Sequence, residues 1–271
     1  GLSADNLKVV REMIEKPYGL ILITGPTGSG KTTTLYAMLK EFDREANNVV
    51  SLEDPIEYNI EGVNQSQVRP EIGYDFANGL RTILRQDPDI IMVGEIRDKE
   101  TAAMAIHAAL TGHLVLSTLH TNNAAGVVPR LVDMGVDPYL IAPTLLMVIG
   151  QRLVRRLCPD SRKEKILEGA FKEIAQNELK NIPDEARKKI TSFDKIYEGV
   201  SSPACPMGSK GRMGIFEVMR RTPDLERIIL TKPSEQDILK EARNQGMTTI
   251  REDGLIKMLN GFISFDEFIK L

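Results

Sequence analysis

The chain has 271 residues, 42% of them hydrophobic, enough for about two domains of ordinary size and a sizeable buried core, which excludes a disordered tail or a disulfide-stapled miniprotein. Thirty-five Lys and Arg against 38 Asp and Glu leave a net charge of −3, and six Tyr, eight Phe and no Trp offer no evident stacking track, so neither nucleic acid nor an anionic membrane surface is an indicated partner. Two cysteines cannot build a disulfide framework, nothing at the start has the order of a signal peptide, and the most apolar stretch, residues 140–150, is too short for a bilayer span and contains Pro143 and Thr144. A reducing, cytoplasmic setting is the default expectation.

In chain order, Ser3 caps a predicted helix over residues 4–16, with Leu7, Val10 and Ile14 at helical spacing and Pro17 and Gly19 as stops. Residues 20–24 are continuously apolar up to Thr24, the pattern of a strand covered on both faces. A glycine-rich turn and a helix over residues 32–42 follow. Residues 49–52, 90–93 and 114–118 read as further strands, and residues 99–110 as an alanine-rich helix closed by Gly112. Strand and helix alternate, which predicts an α/β core with a largely parallel sheet over residues 1–157.

From residue 158 the character changes. Fifteen of the 31 residues 159–189 are charged, and Ile166, Leu167, Ala170, Phe171 and Ile174 form one narrow apolar stripe, so residues 158–211 are predicted to be an inserted helical lobe. Residues 212–271 are predicted to hold a strand over 214–219 and three short helices, started by Thr222-Pro223, by Ser234 with Asp237, and by Thr248 or Thr249.

Gly25, Pro26, Thr27, Gly28, Ser29, Gly30, Lys31 and Thr32 fit the P-loop pattern, directly after a buried strand and directly before a helix. Glycines let backbone N–H groups converge on phosphate oxygens, and the helix N-terminus adds a favourable dipole. Lys31 is then the cation for the β- and γ-phosphates, and the Thr32 hydroxyl a Mg²⁺ ligand. Glu95 ends the apolar strand of the segment DPDIIMVGE and is the expected Mg²⁺-side acid, whereas Glu53, Asp54 and Glu57 follow the preceding strand. His113 and His120 flank the strand over 114–118; a histidine beside a γ-phosphate can hydrogen-bond to it, whereas their spacing argues against a metal pair. His107 lies within the alanine-rich helix and is read as structural.

Together these segments resemble the secretion ATPase superfamily, specifically the type II secretion and type IV pilus assembly ATPases (GspE/PilB type). GPTGSGKTTTLYA stands as Walker A, EDPIE as the Asp box, DPDIIMVGEIRD as Walker B and TGHLVLSTLHTN as the His box, and the similarity continues through PRLVDMGV, GQRLVRRLC, GRMGIFEVM and REDGLIKML. The resemblance implies a RecA-like P-loop domain with a C-terminal helical region, an ATPase working with Mg²⁺ as a homo-hexameric ring at the cytoplasmic face of the inner membrane, where it acts through a platform protein. Carried over, it makes residues 25–33, ending at Thr33, the phosphate loop, with Lys31 at the phosphates and Thr32 at Mg²⁺. Glu95 becomes the Walker B acid and Glu57 the acid that orients or activates water, supported by Glu53 and Asp54. His113 and His120 match the two His-box positions, His120 being the better γ-phosphate sensor, and Arg81, Arg85 and Arg97 lie in the arginine-containing stretch.

Motors of this kind carry an N-terminal PAS-like domain, so the resemblance also implies a C-terminal piece of a longer protein that binds Mg-ATP but turns it over weakly. The long stretch between Cys158 and Gly211 favours the assembly and secretion branch over a pilus-retraction motor; a conjugation-type secretion ATPase and, less so, a nucleic-acid translocase are the alternatives. Relatives in that branch often hold zinc there through two C-x-x-C pairs. Here Ser161 stands in place of one partner and Cys205 has none, so no zinc is expected and the two cysteines read as a metal-site remnant.

Overall fold

Leu20 and Leu22 belong to one buried apolar cluster and Ile21 and Ile23 to another, all four without solvent exposure. Side chains alternate across a strand, so this single run requires a sheet covered on both faces. Fully burying each such side chain contributes about 1.5–3 kcal/mol, which makes this strand a principal anchor of the fold.

The structure is a computed structural model describing residues 1–231 and 233–271; the side chains of Ala170 and Phe171 also lie outside the described residues, so their place in the predicted stripe is not addressed. The first part comprises α1 (Ala4–Ile14), β1 (Gly19–Thr24), α2 (Lys31–Leu39), β2 (Val49–Glu53), β3 (Asn64–Gln67), α3 (Phe76–Ile83), β4 (Ile90–Val93), α4 (Lys99–Leu110), β5 (Leu114–Leu119), α5 (Val127–Asp133), α6 (Pro138–Thr144) and β6 (Leu145–Leu157). There follow β7 (Arg162–Ile166), α7 (Gly169–Leu179), α8 (Asp184–Arg187), β8 (Lys195–Gly199), β9 (Ser209–Arg220), α9 (Pro223–Thr231), α10 (Glu235–Asn244), α11 (Ile250–Leu259) and α12 (Phe265–Ile269). No helix among the described residues is long and apolar enough to cross a membrane.

Seven strands form one sheet in the order β3-β2-β4-β5-β1-β6-β9, parallel throughout except for the β6–β9 pair. The largely parallel sheet is as predicted. The 140–150 stretch is two elements: α6 ends at Thr144, and β6 begins at Leu145 and runs 13 residues. Because β6 pairs with β1 only as far as Thr24↔Gly150, its second half continues past the sheet edge, paired with β9 alone.

At the outer end of this ribbon sits a segment closed at its base by a disulfide between Cys158 and Cys205. Each sulfur is bonded to the other, a pairing that the sequence reading does not include. The segment is also less helical than predicted, since β7 and β8 form an antiparallel pair with Ile166 exposed on it rather than in the apolar stripe. Leu167, Ala175 and Leu179 share one apolar cluster with Leu255 and Met258 of α11. Beyond β9, Thr249 rather than Thr248 caps α11, in a reciprocal capping box with Glu252, and α12 is a fourth helix that the sequence reading lacked.

Candidate functional site

Parallel strands bring their carboxyl ends to one edge, and in an open α/β sheet the crevice there is where ligands bind. The glycine-rich loop follows β1, Glu53 closes β2, Glu95 comes two residues after β4, and His120 follows β5 directly. A cavity of about 550 Å³ at this edge is lined by Thr27, Gly28, Gly30, Lys31, Thr32, Thr33, Glu53, Asp54, Glu57, Glu95, Arg97 and His120.

The loop is shaped for close backbone approach. Gly25 has φ +148°, and a Cβ there would stand 2.3 Å from the Gln151 carbonyl oxygen. Gly30, at φ +85°, is the N-cap of α2 and supplies no side-chain cap, so the first N–H groups of the helix face the loop. The Ser29 hydroxyl is buried without a hydrogen-bond partner, and nothing lies within 4 Å of the position a Cβ would take on Gly28. Open space at Gly28 beside the helix N-terminus suits a phosphate. Lys31 Nζ donates to the carbonyl oxygens of Gly25 at 2.9 Å and Pro26 at 3.1 Å. Burial pushes the Lys31 pKa down, the Glu95 carboxylate pulls it up and Arg152 pushes it further down.

The acids differ in what holds them. Glu95 Oε1 is paired with Arg97, and its Oε2 lies 3.3 Å from His120 Nε2; the side chain is 14% exposed. The Glu95 hydrogen bond is also what chiefly raises the Arg97 pKa, with Asp54 4.0 Å from the same guanidinium. Glu57 and Asp54 are exposed to the cavity. Glu53, by contrast, is 2% exposed, and its carboxylate accepts from Tyr36 Oη, from Ser51 Oγ at 2.5 Å and from Gln65 Nε2 at 3.0 Å. It contributes by bracing the cavity wall.

His113 is a correction. It immediately precedes β5, at the amino edge of the sheet, where its carbonyl accepts from Gly19 N and its Nδ1 lies 3.0 Å from the Ala108 carbonyl oxygen. The six residues of β5 separate it from His120, about 20 Å at a strand's rise, so one nucleotide-phosphate site does not take both. Of the three arginines, Arg97 alone lines the cavity; Arg81 pairs with Glu100 at 2.9 Å, and Arg85 Nε reaches the Arg81 carbonyl.

Three contributors escape the sequence reading. Gln151 of β6 donates from Nε2 to the Ser29 carbonyl at 2.7 Å and accepts from Thr34 Oγ1 at 2.8 Å, tying the loop and α2 to β6. Leu153 of β6 and Arg212 of β9 line the cavity from the projecting ribbon. The segments GQRLVRRLC and GRMGIFEVM were the available signal, but nothing in them says that they fold back beside a loop more than a hundred residues earlier.

The fold and this loop define a RecA-like P-loop domain. Residues 1–270 match the family described as Type II/IV secretion system protein, and the chain belongs to that family. The type II secretion system ATPase E of Vibrio cholerae serotype O1 is 45% identical over 272 residues, covering 100% of this chain and 52% of its own length. The type IV pilus assembly ATPase PilB of Myxococcus xanthus is 44% identical over 272 residues, covering 99% of this chain and 46% of its own length. The chain therefore spans about half the length of the curated relatives it matches. The solved structure of the pilus retraction motor PilT with bound ADP superposes with a TM-score of 0.71 at 28% identity, covering 100% of this chain and 64% of that one.

Proposed function

We propose that the cavity binds and hydrolyses Mg-ATP, and that the chain is the catalytic part of a motor for type II secretion or type IV pilus assembly. The observation that carries this reading is the meeting of Lys31, Thr32, Glu57, Glu95 and His120, from four separate segments, around one cavity of about 550 Å³.

The roles follow from placement. The N–H groups at the start of α2 and the Ser29 hydroxyl hold phosphate oxygens, and Lys31 exchanges its contacts with the loop carbonyls for the β- and γ-phosphates. The Thr32 hydroxyl and the Glu95 carboxylate, hard oxygen donors of the kind Mg²⁺ takes, would hold that ion, which would supply neutralisation of the phosphate charge. His120, within reach of Glu95, reports the γ-phosphate. Glu57, exposed on the cavity wall, orients and deprotonates the attacking water, with Asp54 beside it. Thr27, Gly28 and Thr33 shape the phosphate pocket.

Within this reading residues 1–157 are the ATPase core, 158–211 a lobe and 212–271 a C-terminal region. Six copies form a ring at the cytoplasmic face of the inner membrane, meeting the membrane only through a platform protein, with no nucleic-acid partner. Glu57→Gln and Glu95→Gln test the chemistry. Both are expected to bind ATP while turnover falls about a hundredfold or more, the range for a positioned base at Glu57 and for lost charge stabilisation at Glu95. Unchanged turnover in both variants removes them from the reaction.

A further inference from the structure

Tyr36 is a wholly buried residue on the helix that the phosphate loop starts, and its hydroxyl reaches beyond that helix to two other segments. It donates to Glu53 at the end of β2 and accepts the backbone N–H of Glu57 at 3.3 Å. Its ring meets Tyr58 edge-on, with centroids 4.7 Å apart. On its other oxygen Glu53 accepts from Gln65 Nε2, which also donates to the Tyr58 carbonyl at 3.2 Å, while Gln65 Oε1 accepts from Ile60 N at 2.7 Å. The loop from Asp54 to Ile60 is therefore pinned near its middle by Tyr36 and at its far end by Gln65, and the two pins meet on one buried carboxylate.

Resting on the ATPase reading above, we propose that Tyr36 is a positioning residue: its hydroxyl fixes the Glu57 backbone relative to the phosphate loop, so that the acid and the phosphate-binding cation share one frame. The sequence separation is short, five residues from Lys31 to Tyr36 within α2, so a movement of the loop is delivered to Glu57 through one helix and one hydrogen bond. Burial, reinforced by the Glu53 contact, pushes the phenol up to about 12, which keeps the hydroxyl protonated and able to donate throughout the neutral range. A catalytic acid displaced by even an ångström loses much of its effect, which gives this one hydroxyl its leverage.

The test is Tyr36→Phe, which keeps the buried ring and removes only the hydroxyl. In hydrogen–deuterium exchange on the ligand-free chain, the Glu57 amide is expected to exchange at least tenfold faster, with β2 amides unchanged. Ser51→Ala, which takes a different donor from Glu53, is expected to leave the Glu57 amide protected. In single-turnover ATP cleavage with the chain in excess, Tyr36→Phe is expected to slow the reaction at least tenfold, with ADP affinity within twofold of wild type. In a Glu57→Gln background it is expected to add no further loss, because both changes act through the same group. Unchanged protection of the Glu57 amide, equal deprotection by Ser51→Ala, ADP affinity falling in step with the rate, or losses that multiply fully with Glu57→Gln would each overturn the proposal. If Glu57→Gln alone cleaves ATP like wild type, the ATPase reading of Glu57 fails instead, while the exchange result still decides whether Tyr36 holds the loop.

Discussion

The molecule has two concentrations of charged side chains, and they are built in opposite ways. Under α11, Asp253 accepts from Phe216 N at 2.8 Å and Lys257 Nζ at 2.5 Å, Lys257 also donates to the Gly214 carbonyl, and Arg243 holds Glu252. Glu217 accepts from Ala124 N at 2.8 Å and Ile250 N at 2.9 Å, joining β9 to the segment after β5 and to the start of α11. These acids are at most 8% exposed, and each ends on donors of the protein itself. Around the cavity, Glu57 and Asp54 face open space, and the Glu57 carboxylate has no hydrogen-bond or ion-pair partner among the described residues. Residue type alone does not separate these buried acids from Glu57; the supply of internal donors does.

Mutation is expected to separate the two regions cleanly. The largest stability effect belongs to Asp253→Ala, which strands Lys257 in the interior: about 3–5 kcal/mol lost in urea unfolding, with ADP affinity of the remaining folded protein within about twofold of wild type. A loss of affinity without a loss of stability would break the contrast. Next, Lys31→Ala is expected to weaken ADP binding about a hundredfold, or about 2.7 kcal/mol, in titration calorimetry while unfolding moves by less than about 0.5 kcal/mol. Gly30→Ala is smaller and mixed. Its φ of +85° disfavours any Cβ, and that Cβ would lie 3.0 Å from Gln151 Nε2, so thermal unfolding should report about 1–2 kcal/mol of destabilisation.

The smallest effect is one of pH. Burial raises the Glu217 pKa above its ordinary 4.5, so the folded state retains a proton that the unfolded chain has released. The contribution of Glu217 to stability therefore improves as pH falls from the raised pKa towards 4.5 and worsens as pH rises through the same window. Glu217→Gln should remove that slope, and the difference between wild type and variant should shift in favour of wild type on acidification. A difference independent of pH would place Glu217 among the solvated acids.

What could be foreseen follows the same division. Strands covered on both faces announce themselves: Ile90–Val93 and the helix Lys99–Leu110 were read with the bounds observed. β3, with the sequence NQSQ, lies at the sheet edge, and β7, RKEKI, pairs only with β8; neither carries an apolar signature. β6 shares one apolar stretch with the end of α6, and Pro143 and Thr144 mark the junction without saying that a strand follows a helix there. In the site, a loop or acid placed just after a buried strand was legible, since parallel topology sends all such positions to one edge. His113 was misplaced for the same reason in reverse: it precedes its strand. Glu53 lines the cavity as expected of an acid there, but that Tyr36, Ser51 and Gln65 meet its carboxylate has no local signature, since they come from three elements. The Cys158–Cys205 pairing joins the two ends of one inserted segment, a closure that spacing alone does not reveal.

The central claim is that the open charged region is an ATP site in which Lys31 meets the terminal phosphates and Glu57 faces the attacking water. A crystal structure of the chain with a non-hydrolysable ATP analogue and Mg²⁺ tests it most directly. The expected result has the phosphates seated on residues 25–33, Lys31 Nζ within hydrogen-bond distance of β- and γ-phosphate oxygens, and a water between Glu57 and the γ-phosphorus. Phosphates bound elsewhere, or a Glu57 carboxylate turned away from the γ-phosphate with its backbone still held by Tyr36, would contradict it.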